Sequence, residues 1–281
     1  MPRFSPATPR SRRLGRELRR LRDAAKLTLE DAGKRANCSP SRVARVESGE
    51  IKVRQGDVLE LLLAYGVPID DEHSKALLAM TKDLREPGWW QRLNTLTSKY
   101  ATYIAYEAEA QDLRNFEPVI VPGLLQTEAY ARAVISVGRE TDSEAIEQRV
   151  KARMTRQETL TRKSPLQLWA ILSEAVLCCE VGGPEVMREQ MQHLATIAAL
   201  PNVTIQVLPF AAGAHLADNG GFAILTFAQG DPDLGHIDTL AGSLFLESDS
   251  EIKRLNAVFD HLKTLSLSPA ESVKAIRERG K

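Results

Sequence analysis

The sequence has few of the residues and patterns that many enzymes, secreted proteins and membrane proteins depend on. Its 281 residues include 3 cysteines, and only 5% of them are aromatic. An odd number of cysteines without metal-ligand spacing predicts neither a disulfide framework nor a metal site. No run approaches the ~18 consecutive apolar residues of a membrane span, and no apolar signal-peptide segment follows the basic first residues. These absences predict a cytoplasmic protein without membrane attachment.

Familiar catalytic motifs are also missing. The sequence contains no Gly-x-Ser-x-Gly, no Gly-x-x-x-x-Gly-Lys, no Gly-x-Gly-x-x-Gly and no His-Glu-x-x-His. The sequence therefore predicts no cofactor, no bound metal and no catalytic residues, and favours a binding protein over an enzyme.

Charge is distributed unevenly, although its total is zero. Residues 1–60 contain 15 basic and 8 acidic side chains, a net charge of +7, and residues 61–281 contain 22 and 29, a net charge of −7. A basic N-terminal segment favours binding to nucleic-acid phosphates. Arg10, Arg12 and Arg13 belong to a predicted flexible basic arm, residues 1–13, which either enters a minor groove or is a solvated tail.

Residues 28–49 contain the signals of two short helices joined by a tight turn. Thr28 is a predicted N-cap of the first helix, Ser39 caps the second, and Gly49 ends it. Val43 and Val46 fall three apart and are expected to face the core, so that polar side chains point outward. This is the layout of a helix-turn-helix, which places its second helix in the major groove of DNA. The residues expected to contact DNA are Thr28, Ser39, Pro40, Ser41, Arg42, Arg45, Lys52 and Arg54.

These residues resemble the XRE/Cro-type helix-turn-helix repressors. The resemblance is carried by Leu18-Arg19-Arg20-Leu21-Arg22, by Thr28-Leu29 and by residues 39–49. It implies that Glu47 pairs with an arginine of the first helix, either Arg19 or Arg22. Asn37 stands where the family usually has a glycine, and asparagine tolerates the left-handed backbone that this turn needs.

Apolar periodicity predicts a fold that is mainly α and then α+β. Five helices are expected in a helix-turn-helix domain over residues 14–86, which ends at Pro87-Gly88. Residues 87–281 form the second domain, where the pattern stays helical to about residue 162. Helices are predicted at 103–116, at 129–137 and from 142 onward, and strands of a small mixed sheet with flanking helices at 166–172, 203–209, 222–228 and 235–246.

The second domain is similar to an uncharacterised domain that is attached to many such regulators. The matching segments are residues 107–110, 121–133, 153–157, 173–177, 182–184 and 207–215. The similarity runs from about residue 89 to residue 277. It implies pairing with a small partner protein, in an antitoxin-like or developmental arrangement. A homodimer is expected on separate grounds, because a single helix-turn-helix contacts too few base pairs to be specific.

Several side chains of the second domain are candidates for a ligand or partner site. These are Trp89, Trp90, Glu107, Glu174 and His215. The tryptophan pair is interpreted as a linker anchor, with ligand stacking as the alternative. Glu107, Glu109 and Glu174 lie in apolar or alanine-rich runs, so we expect buried carboxylates paired with Arg153 or Arg156; acid–base chemistry is the alternative. The loop that contains the histidine either lines a pocket or merely connects two strands.

Together these features predict a sequence-specific, double-stranded-DNA-binding transcription regulator. Its second domain is expected to dimerise and to receive a signal from a small protein partner. Two alternatives stay open, a regulator that senses a small molecule of unknown identity and an enzyme fused to a DNA-targeting domain.

Overall fold

The computed structural model describes residues 9–51, 53–83, 97–137, 142–228, 231–240 and 242–280. The chain divides into two compact units, residues 1–106 and 107–281. The predicted domain boundary at residues 85–88 lies outside the described residues, as do Trp89 and Trp90. The predicted fold class is confirmed, because helices precede a mixed sheet with flanking helices.

The described residues form twelve α-helices and six strands. The helices are α1 (Pro9–Ala24), α2 (Leu29–Arg35), α3 (Pro40–Glu47), α4 (Gln55–Ala64), α5 (Glu72–Asp83), α6 (Ser98–Glu109), α7 (Glu128–Ser136), α8 (Ser143–Arg156), α9 (Glu174–Cys178), α10 (Pro184–Ile197), α11 (Asp249–Leu265) and α12 (Pro269–Arg279). The strands are β1 (Asp112–Glu117), β2 (Gln167–Ser173), β3 (Val203–Leu208), β4 (Phe222–Thr226), β5 (Leu234–Thr239) and β6 (Gly242–Leu246).

Local capping fixes the start and end of the two helices predicted from residues 28–49. Thr28 and Asp31 form a capping box at the start of α2, and the Ser39 hydroxyl accepts the Arg42 N–H at the start of α3. Asn37 in the turn has φ of 49°, and Gly49 after α3 has φ of 73°. The left-handed backbone expected at both positions is confirmed.

An apolar core formed by residues between Leu14 and Leu77 holds the helices of this region together. Val43 and Val46 of α3 are buried against Leu14 and Leu18 of α1, as the helical spacing predicts. The two helices approach closely at Gly15, where an added Cβ would collide with the backbone oxygen of Glu47. Glycine is therefore required at that crossing, since any side chain would push α3 away from α1.

The prediction of a basic arm ahead of the first helix is wrong for residues 9–13. Helix α1 begins at Pro9, so Arg10, Arg12 and Arg13 lie on its first turns. Pro9 suits the first helical position, where a missing N–H costs no hydrogen bond, and the arginines that follow have good helix propensity. Residues 1–8 lie outside the described residues.

The second unit is built on a six-stranded mixed sheet with the order β3-β2-β1-β4-β5-β6. Strands β1, β2 and β3 run parallel, whereas β4 is antiparallel to β1 and is followed by the antiparallel β5 and β6. One face packs against α11, where Phe116, Phe222 and Phe259 are buried together. Asn115 and Glu117 alternate with Phe116 along β1, so they lie on the opposite face.

Two predictions for this unit are wrong. Residues 103–116 do not form one helix, because α6 ends at Glu109 and residues 112–117 form β1 in the middle of the sheet. Pairing with strands on both sides outweighs the local helical pattern. Residues 235–246 form the paired strands β5 and β6 instead of one strand, and Gly242 has φ of 119° where β6 begins. The other predicted strands are confirmed with small shifts at their ends.

Candidate nucleic-acid interface

Helix α3 presents a polar face to solvent while its apolar face is buried. Ser39, Pro40, Ser41, Arg42 and Arg45 are all exposed. They occupy the N-cap, the first turn and the next turn of the helix, the part from which a helix-turn-helix reads base edges. The structure thus brings most of the predicted DNA-contacting residues onto one surface.

The other residues predicted to contact DNA differ in their exposure and in the partners they already have. Arg54 is exposed immediately before α4, and Thr28 is exposed at the start of α2. The Thr28 hydroxyl already donates to Asp31 Oδ2 at 2.6 Å, and it accepts the Asp31 N–H at 3.1 Å as the cap of α2. Lys52 lies outside the described residues. Arg12 and Arg13 are half-buried on α1.

Each exposed arginine of α3 has an acidic neighbour. Arg42 Nη2 lies 2.9 Å from Asp57 Oδ1 of α4, whereas Arg45 Nε lies 3.8 Å from Glu50 Oε2. The first distance is that of a charge-assisted hydrogen bond and the second is that of a loose ion pair. Sequence reasoning missed Asp57, since fifteen residues separate it from its partner and nothing in the local pattern links them.

A buried ion pair anchors the end of α3. Arg22 of α1 donates to both carboxylate oxygens of Glu47, at 2.7 and 2.9 Å, and Tyr65 donates its hydroxyl to the same carboxylate at 3.2 Å. The hydrogen bond to Glu47 raises the pKa of Arg22. Of the two arginines that the family resemblance offered for Glu47, the structure selects Arg22; Arg19 lies instead beside Asp23.

In the second unit, the expectation of buried carboxylates is correct for Glu107 only. Glu107 accepts from Arg156 Nε and Nη2 at 2.8 and 2.6 Å. Arg153 instead donates to Gln126. Glu109 and Glu174 are half-buried.

Glu174 and His215 each contact other residues of the second unit. Glu174 accepts the backbone N–H of Phe210 at 2.9 Å and lies 3.6 Å from an Arg279 nitrogen. His215 packs edge-on against Phe116, with ring centroids 5.6 Å apart. Both therefore have structural partners that tie the loop after β3 to the sheet and to α12.

A polar cluster on the sheet face opposite α11 was not predicted from the sequence. The Asn115 amide donates to Glu117 Oε1 at 3.4 Å and to the Phe222 carbonyl at 3.1 Å. Burial raises the pKa of Glu117 to about 7, and burial lowers the pKa of His236 to about 4. Asp238 acts on both groups through its charge. Sequence reasoning missed the cluster because β1 was assigned to a helix, which hid the alternation that places Asn115 and Glu117 on one face.

Two features are absent from the described residues. No helix there combines the length and apolarity needed to cross a bilayer. No group of three or more histidine, cysteine, aspartate or glutamate side chains there is arranged to hold a metal ion.

The fold and the exposed face of α3 define a helix-turn-helix DNA-binding protein. Residues 13–75 match the model of a helix-turn-helix domain. Residues 100–278, more than half of the chain, match a domain of unknown function (DUF5753). The chain therefore belongs to the DUF5753 family. No curated protein and no solved structure matched the chain.

Proposed function

We propose that the protein is a sequence-specific transcription regulator of the XRE type that binds double-stranded DNA. The exposed first turns of α3 carry the proposal, because Arg42 and Arg45 project from a helix whose other face is fixed in the core. The net charge of +7 over residues 1–60 supports it, since phosphate contacts release counterions and add affinity. We propose that it acts in the cytoplasm.

We expect Arg42→Ala and Arg45→Ala each to weaken binding to the preferred duplex by about 1–3 kcal/mol, or about five- to 150-fold in Kd. An arginine that contacts a guanine edge loses discrimination at one base position, whereas a phosphate contact loses affinity for every sequence. Fluorescence anisotropy with labelled duplexes measures both effects. Arg132→Ala is the control, because this exposed arginine of the second unit pairs with Glu128 and Glu147. Wild-type affinity in both α3 variants contradicts the proposal.

We propose that the second unit forms a homodimer and receives a signal from a small protein partner, in an antitoxin-like arrangement. In this proposal the unit has no catalytic activity. Exposed apolar side chains on the loops of this unit support a protein partner, because association removes such surface from water. They include Val119, Phe210 and Leu216, which are 51%, 61% and 60% exposed. The pairing of Glu107 with Arg156 supports a non-catalytic role, since each buried charge neutralises the other.

We expect Phe210→Ser to weaken partner binding by more than about 2 kcal/mol, as for a central aromatic residue of an interface. Affinity capture of the full chain from its native cytosol, followed by mass spectrometry, is expected to recover a small protein at equal stoichiometry. Leu240→Ser is the matched control, since Leu240 is fully exposed beside another loop of the same unit. Equal capture by both variants contradicts Phe210 as a partner contact, and light scattering that finds a monomer contradicts the dimer.

A small-molecule sensor is the second candidate function. The cluster of Asn115, Glu117, His236 and Asp238 favours it, because carboxyl groups with a strongly raised pKa occur often in ligand sites. The same capture experiment distinguishes the candidates: a bound metabolite in place of a protein favours the sensor, and turnover of that metabolite favours an enzyme.

A further inference from the structure

Asp57 connects the start of α4 to the exposed face of α3. Its Oδ2 accepts the backbone N–H of Arg54 at 2.7 Å, while its Oδ1 accepts from Arg42 Nη2 at 2.9 Å. The first bond satisfies a backbone donor near the helix start, and the second holds the guanidinium from the side. The Asp57 side chain is 25% exposed and that of Arg42 is 47% exposed, so the pair lies at the surface that would face DNA.

An anion in this position opposes DNA binding in general. Two unit charges about 4 Å apart interact by about 1 kcal/mol even in bulk water, so a carboxylate beside the docking face repels every phosphate that approaches it. This repulsion is independent of sequence. A residue that only capped α4 could be an uncharged asparagine, at a loss of about 0.3–1 kcal/mol of helix-dipole stabilisation.

The pair also removes freedom from Arg42. An unrestrained arginine has several rotatable bonds and reaches whichever phosphate is nearest, which gives affinity without sequence information. In the pair with Asp57, one of the five coplanar guanidinium N–H donors is committed, which restricts the directions in which the remaining four can reach. A guanidinium restrained in this way can donate to a guanine edge when the duplex has a guanine at that position. When the duplex lacks that guanine, the Arg42 donors are left without a base acceptor.

We propose that Asp57 is a specificity-determining, positioning residue that orients Arg42 toward a base edge and penalises duplexes lacking that base. The inference rests on the proposed function, since it concerns how the same helix selects its sequence. Asp57 acts through Arg42 and needs no contact with DNA of its own. Its repulsion weakens binding to all duplexes alike, and its orientation of Arg42 widens the difference between specific and non-specific binding.

Glu50 offers a matched comparison within the same motif. It lies 3.8 Å from Arg45 Nε, and both side chains are more than half exposed. An ion pair this loose does not fix a side chain. Glu50→Gln therefore removes one negative charge close to α3 without removing an orienting bond.

The test compares Asp57→Asn with Glu50→Gln on two probes: the duplex that the wild-type chain selects from a randomised library, and a scrambled duplex of the same composition. We expect Asp57→Asn to bind the scrambled duplex about threefold more tightly or better, and its ratio of specific to non-specific affinity to fall about tenfold, concentrated at one base position. Glu50→Gln is expected to bind both probes somewhat more tightly, with its ratio unchanged within about twofold.

A double-mutant cycle keeps the test independent of stability. With Arg42→Ala in place, Asp57→Asn is expected to leave the ratio unchanged, because the side chain that it orients has gone. Asp57 is not a positioning residue if Asp57→Asn raises the affinity for both duplexes by the same factor. The same holds if it lowers the ratio of specific to non-specific affinity equally with and without Arg42. If the wild-type chain selects no sequence at all, the proposed function itself fails, so the two failures are distinguishable.

Discussion

Glu107→Gln is expected to lower the free energy of unfolding by about 3–5 kcal/mol, because it leaves a buried guanidinium without its counter-charge. The side chains of Glu107 and Arg156 are 1% and 6% exposed, and two hydrogen bonds join them. Arg156 also lies close enough to His236 for its charge to contribute to the lowered pKa of that imidazole. An unpaired charge at this position has no solvent to compensate it.

Urea unfolding followed by circular dichroism measures this loss. Glu174→Gln is the control: its carboxylate is half-buried, with one hydrogen bond from a backbone N–H and a loose contact with Arg279, so we expect a loss below about 1 kcal/mol. The opposite pattern, with Glu107→Gln fully stable and regulation lost while DNA affinity is intact, contradicts the structural role and marks Glu107 as part of a ligand or reaction site.

Glu47→Gln is expected to cost a similar 3–5 kcal/mol in the first unit and to abolish DNA binding with it. Glu47 is the last residue of α3, where it accepts from Arg22 and Tyr65. Removing its charge leaves the buried Arg22 with only the exposed Asp23 carboxylate and the Leu27 carbonyl as partners, and it releases the end of the helix that carries Arg42 and Arg45. Stability and DNA affinity are therefore expected to fall together.

Thermal unfolding monitored at 222 nm, beside an anisotropy titration, measures both quantities. Glu30→Gln is the control, because its pair with Lys34 is exposed on α2 and contributes no more than about 0.5 kcal/mol. A Glu47→Gln protein that keeps wild-type stability and binds DNA normally would show that the Arg22 pair does not hold α3 in place.

The first unit could be predicted from its sequence to a large extent, because its signals are local. A cap at Ser39, a left-handed stop at Gly49 and the spacing of Val43 and Val46 all act within one or two helical turns, and the structure confirms each. The ion pair of Glu47 was narrowed to two arginines by resemblance to a family, and the structure selects one.

The second unit was less predictable because its decisive interactions are distant in sequence. Strand β1 looks helical on its own and becomes a strand only because β2 and β4 pair with it from both sides. Without β1 as a strand, the position of Glu117 beside Gly221 cannot be predicted either. A Cβ added at Gly221 would lie 3.2 Å from the Glu117 carboxylate. The sequence did not identify Asp57 as the partner of Arg42 for the same reason, because Asp57 belongs to another helix.

Selection of bound duplexes from a randomised library by the full chain tests the central claim most directly. The account predicts enrichment of one defined sequence, with strong salt dependence of binding, and its loss when Arg42 and Arg45 are both replaced by alanine in a protein that still unfolds at the wild-type temperature. Failure of the folded wild-type chain to bind or enrich any duplex at low salt would contradict it.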